Sequence, residues 1–151
     1  MSLLPGDPLA HRALDSLLRA EASVRRRLSA DLEAAGLSAS GFSVLVVLTI
    51  AGGELPLRTL RQRLRTSKAN ATDVVTTLET RGLVRRRRVP EDRRAATVTL
   101  TPSGGALVDR LFPGHTQRVE RTFAVLDDDE KRFLTEVCRK LAAADVRAQA
   151  A

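Results

Sequence analysis

The residues best able to do chemistry in this sequence are arginines, and half of the basic residues lie in one quarter of the chain. Residues 58–94 carry twelve Lys and Arg against four Asp and Glu, a net charge of +8. The rest of the chain carries −1, so this stretch supplies the whole excess of +7. Guanidinium groups bind phosphate oxygens through paired hydrogen bonds. Such a localised charge predicts a surface for nucleic acid.

Six of these arginines flank a predicted turn. Residues 85–88 are all arginine and precede the turn Pro90-Glu91-Asp92, and Arg93 and Arg94 follow it. Residues 96–101 then alternate between apolar residues and threonine and are rich in β-branched side chains, which is typical of a strand that returns along its neighbour. We therefore predict that the arginines lie on a small two-stranded β-hairpin.

A short helix is predicted immediately before this hairpin, with Ser67 able to cap its start and Gly82 to end it. Its apolar residues recur at spacings of three and four and predict one buried stripe, formed by Ala71, Val74, Val75 and Leu78. The opposite face carries short polar side chains and one lysine. That face suits an ordinary surface helix or a helix in the DNA major groove. The arginine-rich hairpin favours the second interpretation.

The segment before this helix supplies the other half of a helix-turn-helix. Pro56 opens a short helix with three leucines, and only a brief turn separates it from the next helix. Upstream, Ser38 can cap a helix that Gly52 and Gly53 stop. Because that helix is nearly all apolar, we expect it in the core.

Three segments of this region carry a family resemblance. They are Leu78-Glu79-Thr80-Arg81-Gly82-Leu83-Val84-Arg85-Arg86, Pro90-Glu91-Asp92-Arg93-Arg94 and Val98-Thr99-Leu100-Thr101-Pro102-Ser103-Gly104. Together they resemble the MarR family of winged helix-turn-helix transcription regulators. The Asp-Arg-Arg wing followed by Leu-Thr-x-x-Gly is the most specific part, and a looser similarity extends over nearly the whole chain.

The resemblance implies one MarR-type domain over residues 1–151, mainly α-helical with a small β-hairpin wing. Residues 38–102 would form the winged helix-turn-helix DNA-binding lobe, and residues 8–35 and 103–148 mainly dimerisation helices. Such a homodimer presents two recognition helices to an inverted-repeat operator in double-stranded DNA. Family members are usually repressors that a small, often aromatic or phenolic, effector releases.

The resemblance also assigns DNA contacts to the recognition helix. Its groove-facing start would be Ser67, Lys68, Ala69 and Asn70. Asp73 and Thr77 depart from the family pattern, because many relatives carry basic residues there. The carboxylate of Asp73 could accept a hydrogen bond from a cytosine amino group, or it could pair with Lys68 or Arg81.

On the wing, the resemblance implies that Arg94 enters the minor groove, where the negative potential attracts a guanidinium group. Asp92 would orient Arg94 through a charge-assisted hydrogen bond. Arg86 and Arg87 would hold phosphates or brace the hairpin. Arg61 stands where relatives usually have a small residue, so either the packing is looser there or Arg61 points outward to a phosphate.

The first and last helices are predicted to be long and amphipathic, and both carry apolar residues that a small winged core does not need. The first runs from Pro8 to Ala35, and Asp127 with Glu130 has the spacing of a capping box at the start of the last. We expect these helices to meet a second subunit, although they could instead fold back on their own domain. The predicted dimer contacts are Leu14, Leu17, Leu18, Val137 and Leu141.

Two further features of the long helices are predicted. The helix that starts at Pro102 should be interrupted and kinked at Pro113-Gly114. Residues 25–27 are all arginine and could form a second DNA patch, but their acidic neighbours favour a solvated face.

The scarcity of reactive side chains excludes several functions. Cys138 is the one cysteine, so no internal disulfide can form. The chain has only two histidines, His11 and His115, so a zinc cluster is not expected. We therefore predict no metal and no cofactor. A buried, inert Cys138 thiol is expected, with peroxide sensing as the alternative. No nucleophile-base pair, carboxylate pair or Gly-rich phosphate loop indicates an enzyme.

Composition narrows the kind of binding. Aromatic residues make up 3% of the chain, with no Trp or Tyr, which argues against recognition of RNA or single strands by base stacking. The remaining alternative to a regulator is an architectural DNA-binding protein that responds to no ligand. No apolar run of roughly 18 residues and no signal-peptide pattern occurs, so a cytoplasmic protein without membrane contact is expected.

Overall fold

The helices and strands occur in the order that a winged helix-turn-helix requires. The computed structural model describes residues 6–64 and 68–148, with the backbone only at residues 93, 94 and 145–148. The elements are α1 (Pro8–Ala34), α2 (Ala39–Ile50), β1 (Glu54–Pro56), α3 (Leu57–Leu64), α4 (Lys68–Thr80), β2 (Val84–Val89), β3 (Asp92–Leu100), α5 (Pro102–Phe123) and α6 (Asp128–Ala148). They form two compact units, Met1–His115 and Thr116–Ala151. The mainly α fold with a β wing is confirmed.

The sheet has one strand more than the predicted hairpin. β3 lies between β2 and β1 and is antiparallel to both, with Glu54 opposite Thr99 and Pro56 opposite Thr97. Leu55 is buried between two exposed neighbours. Three residues are too few to show the alternation that identifies a strand in a sequence. Because Pro56 belongs to this strand, α3 starts at Leu57 and not at the predicted Pro56.

The core of the first unit is built around α2. Leu45 and Leu48 are fully buried there, as the apolar character of the segment predicts, and Leu60 of α3 and Val75 of α4 pack with them. The predicted stripe on α4 is also confirmed, with Val74 half-buried and its other members buried. Fully burying such a side chain contributes about 1.5–3 kcal/mol to the free energy of unfolding, so this cluster holds the helix-turn-helix together.

The predicted helix ends at Ser38, Gly36 and Asp127 are present. Ser38 Oγ accepts a hydrogen bond from Gly41 N at 3.0 Å, and α1 ends before Gly36, whose φ of +65° favours glycine. Within the second unit, Asp127 Oδ1 accepts from Glu130 N, and Glu130 Oε2 accepts from Asp127 N, each at 2.9 Å. This reciprocal pair is the predicted capping box.

Two expectations about the later helices are wrong. α5 is continuous through Pro113 instead of being interrupted there. Cys138 is exposed, not buried. It follows the half-buried Val137 by one residue, which turns its side chain about 100° away from that residue around the helix.

The polar face of α1 carries ion pairs between residues four apart. Arg19 Nε lies 2.8 Å from Asp15 Oδ2, and Arg25 pairs with Glu21 in the same way. Such pairs favour the solvated face over a second DNA patch. Taken singly, none of the helices in the described ranges is long and apolar enough to cross a membrane; α1 and α2 meet that criterion only as a pair bent by 76°.

The Leu-Thr-x-x-Gly segment joins the wing to α5. Thr101 Oγ1 donates to Gly82 O at 2.6 Å and accepts from Gly104 N at 3.1 Å, while Thr101 N donates to Leu83 O at 3.1 Å. A Cβ atom on Gly104 would lie 2.2 Å from Leu83 O. The glycine is therefore required for α5 to begin against the base of the wing.

We expect Gly104→Ala to lower the free energy of unfolding by about 1–3 kcal/mol or more, because a backbone carbonyl cannot move aside as a side chain can. Gly105→Ala is the matched control, since its nearest neighbour would lie at an ordinary 3.8 Å. That variant should gain about 0.5–1 kcal/mol from helix propensity. Urea unfolding of both variants measures the difference, and equal stabilities would contradict the close approach.

Candidate nucleic-acid interface

The helix-turn-helix consists of α3 and α4, which pack on α2 through Leu60, Ala71, Val75 and Leu78. Residues 65–67 of the intervening turn lie outside the described residues. The predicted cap and DNA contact of Ser67 therefore stay predictions. The burial of one side of α4 leaves its other side for a partner.

The first turn of α4 is open to a partner. Lys68, Ala69 and Asn70 are all exposed, and Ala71 directly after them is buried. This change from exposed to buried shows that the predicted base-reading residues lie outside the core. A lysine and an amide at the start of a helix can reach phosphates and the edges of bases.

The threonines of α4 form hydrogen bonds within their own helix. Thr72, Thr76, Thr77 and Thr80 each donate their hydroxyl proton to the carbonyl oxygen four residues earlier, at 2.8–3.0 Å. This back-bonding leaves methyl groups and oxygen lone pairs facing outward. In the sequence these residues are visible only as polar side chains of this face. The use of their hydroxyl protons for hydrogen bonds within the helix is not visible there. On the described part of this face, Lys68 and Asn70 are the side chains that carry N–H donors.

Asp73 is exposed on the same helix. Within the described part of the chain it forms no ion pair with Lys68 or Arg81, so the suggested pairing is wrong. The Arg81 guanidinium donates instead to Gly36 O at 2.5 Å and Ala35 O at 2.9 Å. The carboxylate of Asp73 keeps its acceptor capacity toward a partner.

The wing exposes its arginines because β2 runs past the core. Val84 is buried, whereas residues 85–88, all arginine, are exposed. A register shift between Arg88 and Val89 marks a bulge close to the turn. Bulges twist a strand pair locally and re-aim side chains, here at the tip of the wing.

Arg86 joins the wing to α4. Its backbone N donates to Glu79 Oε1 at 2.9 Å, and its Nη2 lies 3.6 Å from Glu79 Oε2. This is the bracing role that the sequence suggested as one of two possibilities. Arg87 and Asp92 are exposed, and the side chain of Arg94 lies outside the described part. The predicted pairing of Asp92 with Arg94 therefore stays a prediction.

A concave pocket of about 340 Å³ separates α3 and the start of α4 from the wing. Three cations, Arg58, Arg61 and Lys68, and one carboxylate, Asp92, line it together with small and apolar residues. Arg61 is half-buried in this wall. Sequence reasoning noticed Arg61 but did not group it with Arg58, because nothing in the spacing shows that α3 faces the wing.

The helices predicted to dimerise expose large apolar side chains. On α1, Leu14, Leu17 and Leu18 have 53%, 40% and 57% of their surface exposed. In the second unit, Leu141 is 56% exposed, and Val137 is half-buried. Grouped apolar exposure of this kind marks an interaction surface.

His115 is the one described side chain whose buried polar atom has no hydrogen-bond partner among the described residues. Nδ1 is that atom, and the ring lies 4.9 Å from the ring of Phe42 at an interplanar angle of 59°. Burial lowers the pKa of the imidazole below its usual value, because the charged form loses hydration. No group of three His, Cys, Asp or Glu side chains in the described ranges could hold a metal ion.

Comparison with known proteins agrees with this geometry. Residues 35–95 match the model of the MarR family. The HTH-type transcriptional regulator YkoM of Bacillus subtilis (strain 168) is 31% identical over 122 residues, which cover 81% of this chain and 79% of that protein.

Two solved structures have the same fold. Sco3205, a MarR family regulator of Streptomyces coelicolor solved in complex with DNA, is 26% identical with a TM-score of 0.83, covering 95% of this chain and 92% of that one. BpsR of Bordetella bronchiseptica, whose DNA binding 6-hydroxynicotinic acid regulates, is 28% identical with a TM-score of 0.75, covering 87% and 98%. With its helix-turn-helix, arginine-rich wing and these relatives, the chain belongs to the MarR family of transcription regulators.

Proposed function

We propose that this chain is a homodimeric repressor that binds an inverted repeat in double-stranded DNA and leaves it when a small molecule binds. The observation that carries the proposal is the continuous basic surface formed by the exposed start of α4, the pocket lined by Arg58, Arg61 and Lys68, and the wing. Sco3205, which shares the fold, was solved with DNA and supports it. The chain acts by binding and is not an enzyme.

Individual contacts follow from that surface. Ser67, Lys68, Ala69 and Asn70 enter the major groove. The wing lies over the adjacent minor groove, where Arg94 enters and Asp92 orients it. Arg87 binds a phosphate, and Arg86 holds the wing against Glu79. In this scheme residues 38–102 form the DNA-binding lobe of one domain that spans residues 1–151.

Dimerisation accounts for the exposed leucines. A second copy covers Leu14, Leu17 and Leu18 of α1 and Val137 and Leu141 of α6, so that residues 8–35 and 103–148 mainly hold the dimer together. Two linked recognition helices can then read half-sites about one helical turn, 10–10.5 base pairs, apart.

Selection from random double-stranded DNA tests this function. The chain should return an inverted repeat, because a two-fold dimer presents the same side chains to each half-site. Asn70→Ala should lose the preference at one base position in each half, where a good bidentate contact is worth about 1–3 kcal/mol. An architectural DNA-binding protein would instead return sequences without an inverted repeat, and that outcome would overturn the proposal.

An effector accounts for the unpaired nitrogen of His115. Buried polar atoms usually have a hydrogen-bond partner, and the described residues supply none to Nδ1, so we assign this atom to the polar group of the effector. The Phe42 ring packs against the imidazole and is itself buried, so it makes the surroundings of this nitrogen apolar. A small aromatic acid or phenol combines a ring with a polar group, and BpsR, which 6-hydroxynicotinic acid regulates, supports this class.

We expect an aromatic acid such as salicylate to lower operator affinity by about 5- to 150-fold, the range of typical coupling between sites. Thermal shift identifies binders, and operator titration with each binder measures release. His115→Phe should abolish the response, since it keeps the ring on Phe42 and removes the nitrogen. His11→Phe, at an exposed position on α1, is the control and should leave the response intact. Ligands that stabilise the chain without changing its DNA affinity would refute release by an effector.

A further inference from the structure

Arg81, the residue directly after α4, connects the end of that helix to the end of α1. Arg81 Nη1 donates to Gly36 O at 2.5 Å and Arg81 Nη2 donates to Ala35 O at 2.9 Å. Both carbonyls lie at the C-terminal end of α1, where the helix dipole is negative and carbonyls lack partners within the helix. The charged guanidinium therefore acts as the cap of a helix 45 residues away in the sequence.

Gly36 supplies the turn that presents these carbonyls. Its φ of +65° is a backbone conformation that favours glycine. A Cβ atom at this position would lie at an ordinary 3.8 Å from Arg81 Nη2, so the glycine is needed for the turn and not to make room for the guanidinium. The planar fork of arginine donates to the two carbonyls in a fixed geometry, whereas a lysine ammonium would donate from one rotatable point charge. Two hydrogen bonds from one rigid group fix an angle as well as a distance.

The last turn of α4 also holds the wing. Glu79, two residues before Arg81, accepts from Arg86 N and lies 3.6 Å from the Arg86 guanidinium. The end of α4 is therefore attached to the end of α1 on one side and to β2 on the other. A rotation at the end of α1 must be transmitted to α4 and the wing together.

We propose that Arg81 is the positioning residue that sets the half-site spacing which the dimer accepts. The inference rests on the proposed function, in which α1 carries dimer contacts and α4 enters the major groove. Because both copies hold the same contact, an angular change at Arg81 is repeated in the partner and alters the separation of the two recognition helices. Arg81 touches no base in this scheme and acts through α4.

The test measures Kd on a set of operators. One operator has the selected spacing between its half-sites, and in the others the spacing is longer or shorter by one or two base pairs. The readout is the ratio of Kd on each altered operator to Kd on the selected one, which cancels any change in the fraction of active protein. Arg81→Gln removes the charge and the fork. Arg81→Lys keeps the charge, and Arg63→Gln, an exposed position on α3, is the control for the loss of one positive charge.

We expect Arg81→Gln to reduce these ratios by at least about fivefold, the weak end of typical coupling between sites. Arg81→Lys should fall between the wild type and Arg81→Gln, because it offers a charge without the fork, and Arg63→Gln should keep the wild-type ratios. If Arg81→Gln weakens every operator equally, Arg81 contacts a phosphate or only stabilises the fold, and the inference is overturned. A wild type that binds with no spacing preference overturns the proposed function itself.

Discussion

Operator affinity should fall by roughly 10³- to 10⁵-fold between 50 and 200 mM salt, if the dimer makes about 6–10 phosphate contacts. The reason is the concentration of twelve basic residues in residues 58–94 of each copy, most of which have no acidic neighbour in the sequence to neutralise them. Each phosphate that the protein neutralises releases a counterion that had condensed on the DNA, and this release weakens as salt is added. Binding titrations across the salt range measure the slope.

Two variants distinguish phosphate binding from general charge. The salt slope is the change in the logarithm of the binding constant with the logarithm of the salt concentration. Arg87→Gln removes one phosphate contact from each copy, and each lost contact should reduce the magnitude of the slope by about 0.9. Arg19→Gln removes the same charge from α1, where Arg19 pairs with Asp15 at 2.8 Å, and should leave the slope unchanged. A flat salt response of the wild type would exclude the proposed mode of DNA binding. Equal slopes for the two variants would exclude the assigned role of Arg87.

The features predictable from the sequence are those with a local signal. The buried stripe of α4 follows from apolar residues three and four apart, and the capping box of Asp127 and Glu130 from their spacing. The wing is identifiable because its turn residues separate an arginine run from a β-branched strand. Each of these signals lies within one short, continuous stretch of the chain, where the helix or strand period imposes a pattern.

The features that escaped prediction depend on residues far apart in the chain. Glu54–Pro56 becomes a strand only because β3 offers an edge 45 residues later. Arg81 reads as an ordinary helix end, yet its partners are the carbonyls of Ala35 and Gly36. Backbone carbonyls carry no sequence signal at all. The pocket that joins Arg58 and Arg61 to Asp92 likewise requires the packing of α3 against the wing.

Side-chain chemistry within a correctly predicted element also escapes the sequence. From the sequence, the threonines of α4 are simply polar side chains on a face that suits DNA, but all four of them donate to the preceding turn. Composition cannot distinguish the two uses, since both are open to an exposed threonine in a helix. Cys138 was predicted to be buried because it lies in a helix with many apolar residues. Exposure changes from one residue to the next around a helix, and Cys138 is on the exposed side.

Leu141→Asp should convert the dimer to a monomer and lower operator affinity by about 10²- to 10⁴-fold, the range by which linking two binding sites raises affinity. Leu141 is 56% exposed in the single chain, so the change should be tolerated there. In the dimer the aspartate would lie between apolar surfaces, where an unpaired charge is strongly disfavoured. Loss of the dimer turns two linked half-site contacts into independent ones, and the advantage of linkage disappears.

The matched control is Ala143→Asp, which introduces the same charge on α6 about 200° around the helix from Leu141. Ala143 lies beside Glu136 and Lys140, which form an ion pair at 3.1 Å on that face. Sedimentation should therefore report a dimer for Ala143→Asp and a monomer for Leu141→Asp. Deletion of the first 20 residues, which removes Leu14, Leu17 and Leu18, should have the same effect as Leu141→Asp. If Leu141→Asp and the deletion both stay dimeric, α1 and α6 do not form the interface, and the exposed leucines serve another partner.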